Sequence, residues 1–128
     1  PVYGAGEFIY LKGVASTVRG SAVLFNPDDF STSLLAANDI GQVAVAMAAT
    51  VALEYGWYQI SGKAVVKAGT VADNGNVYST ATAGTLDDAV GAGDRVKNAK
   101  FASADGTPAA GLAEIEIERP FVDDAVAA

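Results

Sequence analysis

The sequence predicts an all-β domain: a compact β-sandwich or small β-barrel of short strands, with little helix and an extended N-terminal arm. Three observations carry this. Apolar and polar residues alternate with a period of two in several stretches, most cleanly in "LAEIEIERPF" (112–121). Turn formers (Asn-Pro, Asn-Gly, Asp-Gly) recur between those stretches. No long stripe with the 3.6-residue period of a helix appears. Roughly seven to nine short strands separated by such turns fit a sandwich or barrel.

Residues 1–6, "PVYGAG", have no period and two glycines, and read as an arm. Residues 7–14, "EFIYLKGV", are aromatic and β-branched and read as a strand. Phe8 and Tyr10 share one face, and Ile9 and Leu11 share the other. Both faces are apolar, which predicts burial on both sides. A Gly-Ser turn and a short strand follow in 17–25, and "NPDDFSTS" (26–33) is a turn in which Pro27 fixes φ. "SLLAAND" (33–39) fits a strand and loop better than one helical turn. In "GQVAVAMAA" (41–49), Val43, Val45 and Met47 line one face. Ala44, Ala46 and Ala48 line the other, where small side chains allow another layer to approach closely.

"EYGWYQISGKAVV" (54–66) holds the only tryptophan. A strict period of two places Tyr58, Ile60, Gly62, Ala64 and Val66 on a core-like face. It sends Trp57, Gln59, Ser61 and Lys63 to a polar outer face. Asn74-Gly75 is a hairpin signal before a Val77-Tyr78 strand. Residues 83–96 form a glycine-rich, acidic loop around a short strand, 96–103 a strand, and 104–111 a loop with Pro108. In the last strand Ala113, Ile115 and Ile117 face the core, Glu114, Glu116 and Glu118 face solvent, and Pro120 ends the pairing. The glutamate row discourages unwanted edge pairing. The organisation is thus an arm (1–6), one β-rich domain (7–122) and a loose tail (123–128).

Composition narrows function. The chain has 128 residues, enough for one domain with a buried core. Hydrophobic residues are 51%, much of that alanine, and charged residues are 18%, below the ~25% of ordinary domains. A low-charge, alanine-rich surface is suited to contact with another protein. The net charge of −7 opposes nucleic acid and anionic membranes. No apolar run reaches the ~20 residues of a membrane span, and no secretory leader is visible. Cysteine and histidine are both absent. Disulfides, thiolate metal sites and the commonest acid–base group are therefore excluded.

Chemistry-bearing constellations are few. The pairs Asp28-Asp29, Asp87-Asp88 and Asp123-Asp124 sit in turns, and neighbours on a strand point apart. Asp73-Asn74-Gly75-Asn76 lacks the spaced carboxylates of a calcium loop. A Ser61–Lys63 dyad shares one face but has no supporting motif. "GAGDRV" (91–96) is neither a dinucleotide nor a phosphate loop. Arg95, Lys97 and Lys100 form the densest basic patch, a solvated strand face or a contact for an acidic partner. Catalytic, cofactor and metal sites are not expected.

The strings "GEFIYLKGVAST", "GQVAVAMAATV", "YGWYQISGKAV", "VADNGNVYSTATAGTLDDAV" and "DGTPAAGLAEIEIERPF" resemble proteins of one family. These are the head decoration, or capsid cement, proteins encoded beside the major capsid protein in tailed bacteriophages. The likeness runs from Gly6 to Asp124. It implies a non-enzymatic virion protein on the outer surface of the capsid, made in the host cytoplasm, that uses no cofactor. It also implies a homotrimer bridging major capsid protein subunits at three-fold or quasi-three-fold positions. On this reading Trp57 and Gln59 lie in a subunit contact. Val2 and Tyr3, on the arm, reach a capsid subunit or an adjacent copy by strand addition. The competing reading is a carbohydrate-binding or adhesin-like β-sandwich module displayed on the virion. That module requires Trp57 to be accessible together with Tyr55 or Tyr58, coplanar with a sugar ring.

Overall fold

The computed structural model describes residues 6–91 and 94–123. Nine strands run through them: β1 Glu7–Lys12, β2 Ala22–Phe25, β3 Thr32–Leu34, β4 Gly41–Ala46, β5 Tyr55–Lys67, β6 Asn76–Ser79, β7 Leu86–Asp87, β8 Arg95–Phe101 and β9 Leu112–Val122. Among the described residues there is no helix, in line with the all-β prediction. The strands form one continuous sheet in the order β3-β2-β4-β5-β9-β8-β6-β7, with β1 added to β5 and a further pairing of β4 with β9. The sheet curls into an open half-barrel.

Each face of this sheet carries its own core. Cross-strand partners share a face, so register reads out which side chains meet. On one face, Val43 and Val45 join Ala22, Ala64, Val66, Val77, Val96, Phe101, Ala113, Ile115 and Ile117 in the larger cluster. On the other, Leu11, Val23, Ala44, Ala46 and Tyr58 form a smaller one, with Ile9, Phe25, Leu34 and Ile60 packed against it. The run β1-β5-β4-β2-β3 bends around the smaller core until its two ends touch. Lys12 and Ser31 form a single parallel bridge there, and the Lys12 N–H donates to Phe30 O at 2.8 Å. Of the predicted alanine face of β4, Ala44 and Ala46 are buried in this core beside their strand partners Val23 and Tyr58, whereas Ala48 is exposed beyond the strand.

A strand can feed both cores only if its alternation is broken once. In β5 the break lies at Ile60–Gly62. Phe8 of β1 pairs with Gln59 and Glu7 pairs with Ser61, which leaves Ile60 as the extra residue of a β-bulge. Gly62 has φ +98°, a value that favours glycine. The strict period expected for β5 is therefore corrected. Tyr58 and Ile60 face the smaller core, whereas Ala64 and Val66 face the larger one. An isolated glycine inside a strand pattern was the available signal.

The bulge also accounts for Gln59, which is only 5% exposed. Its side-chain amide donates to the carbonyls of Ser61 and Lys63, both at 2.9 Å. These flank Gly62, whose conformation turns them toward the strand's own side chain. Gln59 thus holds the bulge rather than facing outward. Gln59→Glu keeps the shape but replaces a double donor with an acceptor facing two carbonyls. It is expected to destabilise the protein by about 1–3 kcal/mol in denaturant melts.

Three further expectations are corrected. Pro120 does not end the last strand: β9 continues to Val122. At Arg119 (φ +47°) the strand leaves β5, its partner up to Glu118, and pairs with β4 through Phe121 and Val122. Proline is tolerated at this change of partner because the ladder is interrupted there. Asn74 lies in a turn with φ +66°, but the strand before it, β5, does not pair with β6, so the turn opens β6 rather than closing a hairpin. Finally, β9 is no edge. It lies between β5 and β8, and Glu116 stands opposite Lys63 on one side and Lys100 on the other. Its apolar face is as predicted, with Ala113, Ile115 and Ile117 all buried.

Candidate partner-binding surface

The face of β1 and β5 that carries Trp57 continues past the larger core into solvent. Register builds a ladder there: Tyr10 lies opposite Trp57, and Lys12 opposite Tyr55. Tyr10 stacks on Tyr55 with ring centroids 5.4 Å apart and planes 20° apart. Tyr10 also meets Trp57 at 5.0 Å with the rings tilted by 53°. Past the end of β4, the Met47 N–H donates to Trp57 O at 3.2 Å, which places the two residues side by side at one depression. Trp57 is 58% exposed, Tyr10 50%, Tyr55 47% and Met47 43%. Beside them, Met47, Thr50, Val51, Tyr55 and Trp57 line an open depression of about 350 Å³. The burial of both faces of β1 expected from the sequence is corrected: Leu11 is buried, but Phe8 and Tyr10 stand out from the other face.

The predicted site residues therefore separate. Trp57 belongs to this ribbon. Gln59, two residues on, is turned inside by the bulge and presents nothing to a partner. Val2 and Tyr3 lie outside the described residues. Tyr10 and Met47 were missed, and Tyr55 was set beside Trp57 only in the carbohydrate reading. Only the β1–β5 register unites 10 with 57, and a 47-residue separation hides it from any local pattern. Tyr58, a platform candidate in the carbohydrate reading, is fully buried.

Elsewhere, polar groups act as local structure. Asp29 Oδ1 accepts from the backbone N–H and the hydroxyl of Ser31, which holds its carboxyl below the usual aspartate range. Asp88 Oδ2 accepts from the Ala72 N–H, and Asp87 Oδ1 from the Ala89 N–H. Among the described residues no three acidic side chains converge as metal ligands would. Lys63 Nζ lies 3.3 Å from Glu114 Oε1, and Lys97 Nζ lies 2.7 Å from Asp123 Oδ2. Ser61 and Lys63, weighed as a dyad and set aside on sequence, share a broad polar trough of about 680 Å³ with Lys100, Glu116 and Glu118. On β1, the Glu7 carboxylate receives Nε and Nη2 of Arg119 at 3.3 and 3.1 Å, which lowers the pKa of Glu7.

Burial first, then the neighbouring charges of Asp88 and Asp94, push the Asp87 carboxyl up. A carboxyl raised on folding binds its proton more tightly in the native state. Its contribution to stability is therefore lost as pH rises from the unfolded pKa through the folded one. Asp87→Asn keeps the acceptor for Ala89 and removes the charge. It is expected to raise the melting temperature at neutral pH and to give no gain near about pH 3, where both states are protonated.

No protein-family model matches this chain, and no curated protein is recognisably similar to it. The surface must therefore be read from its own geometry.

Proposed function

We propose that the protein is a non-enzymatic structural protein of a tailed-phage head, one that binds the outer surface of the assembled capsid and stabilises it by bridging major capsid protein subunits. The observation that carries this is the half-exposed ribbon Tyr10–Tyr55–Trp57–Met47, set on paired strands. Exposed aromatics and methionine are enriched in the centres of protein interfaces, where each buries much area at small entropic cost. The family likeness of the sequence strings supports the choice of partner. A component that binds only the assembled shell stabilises it by mass action.

Ring geometry favours this over sugar binding. Tyr10 spends one face on Tyr55, and Trp57 is inclined by 53° to Tyr10, so the rings share no common plane for a pyranose. Side chains tilted in this way interdigitate with others. Val2 and Tyr3 of the arm are part of the same proposed contact.

The test is co-sedimentation with empty capsids of the phage that encodes the chain. Wild type is expected to pellet with the shells. Trp57→Ala and Tyr10→Ala should bind at least tenfold more weakly, a loss of ~1.4 kcal/mol or more, with little change in melting temperature. No binding by wild type, or equal binding by all three, would reject the proposal. Glycan-array binding that disappears in Trp57→Ala would put the carbohydrate-binding module in its place.

A further inference from the structure

We propose that the depression beside Trp57 is a binding site for an arginine side chain of the protein partner. This rests on the partner-contact reading above and adds the chemistry that the partner must present. Two independent features of the depression point to a cation. Its aromatic walls are Tyr55 and Trp57, both about half exposed. Tyr10 stacks on Tyr55 without lining the depression, so the stack steadies the ring and leaves the space open. The second feature is Glu54, which lines the same depression and is exposed. Among the described residues its carboxylate has neither a hydrogen bond nor an ion pair. Small or apolar residues such as Ala48, Ala49 and Val51 complete the lining, and no basic side chain among the described residues contributes to it. Lys12, opposite Tyr55 in the ladder, stays outside it.

The loop that carries Glu54 is fastened before any partner arrives. The Gly13 N–H donates to Glu54 O at 2.6 Å, and the Leu53 N–H donates to Gly13 O at 3.1 Å. The Thr50 N–H donates to Thr17 O at 3.1 Å. A side chain at position 13 would strike Val51 O and Glu54 O at 2.8 and 2.9 Å, so this close approach needs glycine. Backbone held in this way costs little entropy to order when a ligand binds.

The combination selects a planar cation. Aromatic faces carry negative potential and attract cations, and an unpaired carboxylate beside them adds to the attraction. The net charge of −7 draws basic surfaces from a distance. An apolar side chain in the depression would desolvate Glu54 without giving it a partner. A guanidinium stacks on an aromatic ring, forks hydrogen bonds to a carboxylate and sheds water more readily than an ammonium, which favours arginine over lysine.

Trp57 is the only tryptophan, so its indole N–H gives a single resonance that reports on the site. In the purified full-length chain, acetyl-arginine amide should shift that resonance, whereas the citrulline analogue, of the same shape without the charge, should leave it in place at equal concentration. Glu54→Gln should melt with the wild type and reduce the shift by at least about threefold. On empty capsids, Glu54→Gln should bind at least about fivefold more weakly than wild type. Equal shifts with arginine and citrulline, or a shift undiminished in Glu54→Gln, would overturn the proposal. So would a Glu54→Gln variant that binds capsids like wild type while Trp57→Ala does not, an outcome that leaves the contact surface standing. If wild type fails to pellet with capsids, the capsid reading falls, and the resonance alone decides the arginine site.

Discussion

Ile115→Asp is expected to cost the protein about 3–5 kcal/mol, a large part of what holds any small domain together. Ile115 is 1% exposed and lies between Ala64 of β5 and Phe101 of β8 in the larger core. A carboxylate there would find no basic partner, because its neighbours are apolar. It must either stay charged in a dry site or take up a proton, and both are costly. Glu116→Gln, on the adjacent residue, should cost under about 0.5 kcal/mol, since this side chain is solvated on the opposite face. Urea melts of both variants check the difference. Equal midpoints would mean that the facing of β9 is wrong.

The second large effect separates another pair of neighbours. Tyr58→Ala is expected to cost about 3–5 kcal/mol by leaving a cavity among Leu11, Val23, Ala44 and Ala46. The alanines cannot fill it, having no side chain to rearrange. Trp57→Ala removes a larger ring, yet from a half-exposed position, and should cost under about 1 kcal/mol. Tyr58→Phe isolates the hydroxyl, which lies 3.2 Å from Thr50 Oγ1, and should cost about 1 kcal/mol. Thermal melts should show Tyr58→Ala as by far the most destabilising of the three variants. A Trp57→Ala loss as large as that of Tyr58→Ala would mean that the ribbon is structural and not a contact surface.

These contrasts show what the sequence discloses. Alternation over 112–118 declared the inner and outer faces of β9 without help, because nothing interrupts its period before Arg119. The alternation of β4 was equally clear. In β5 the same rule failed at one point, since a single extra residue reverses every facing beyond it, and Gly62 marked the place without announcing the consequence. The exclusion of thiol and imidazole chemistry was legible from composition alone. The ribbon was half legible. Trp57 could be singled out as an isolated aromatic on a polar face, but its partner Tyr10 lies on a strand far away in the chain, and Met47 lies just past the end of β4. The register of β1 on β5 brings Tyr10 beside it, and the continuation of the β4–β5 pairing brings Met47. The inward turn of Gln59 was not legible, as it answers carbonyls that the bulge itself exposes.

The shared strand has a thermodynamic consequence. Because β5 contributes Tyr58 to one core and Ala64 and Val66 to the other, neither core can melt while leaving β5 in place for its neighbour. The molecule has no seam along which a half could open as a separate folding unit. The amide protons at the centre of β5 then have one route to exchange with solvent, through loss of the entire structure. In the capsid-bound role proposed above, such cooperativity would mean that local tension is resisted by the full free energy of unfolding rather than by the weaker of two parts.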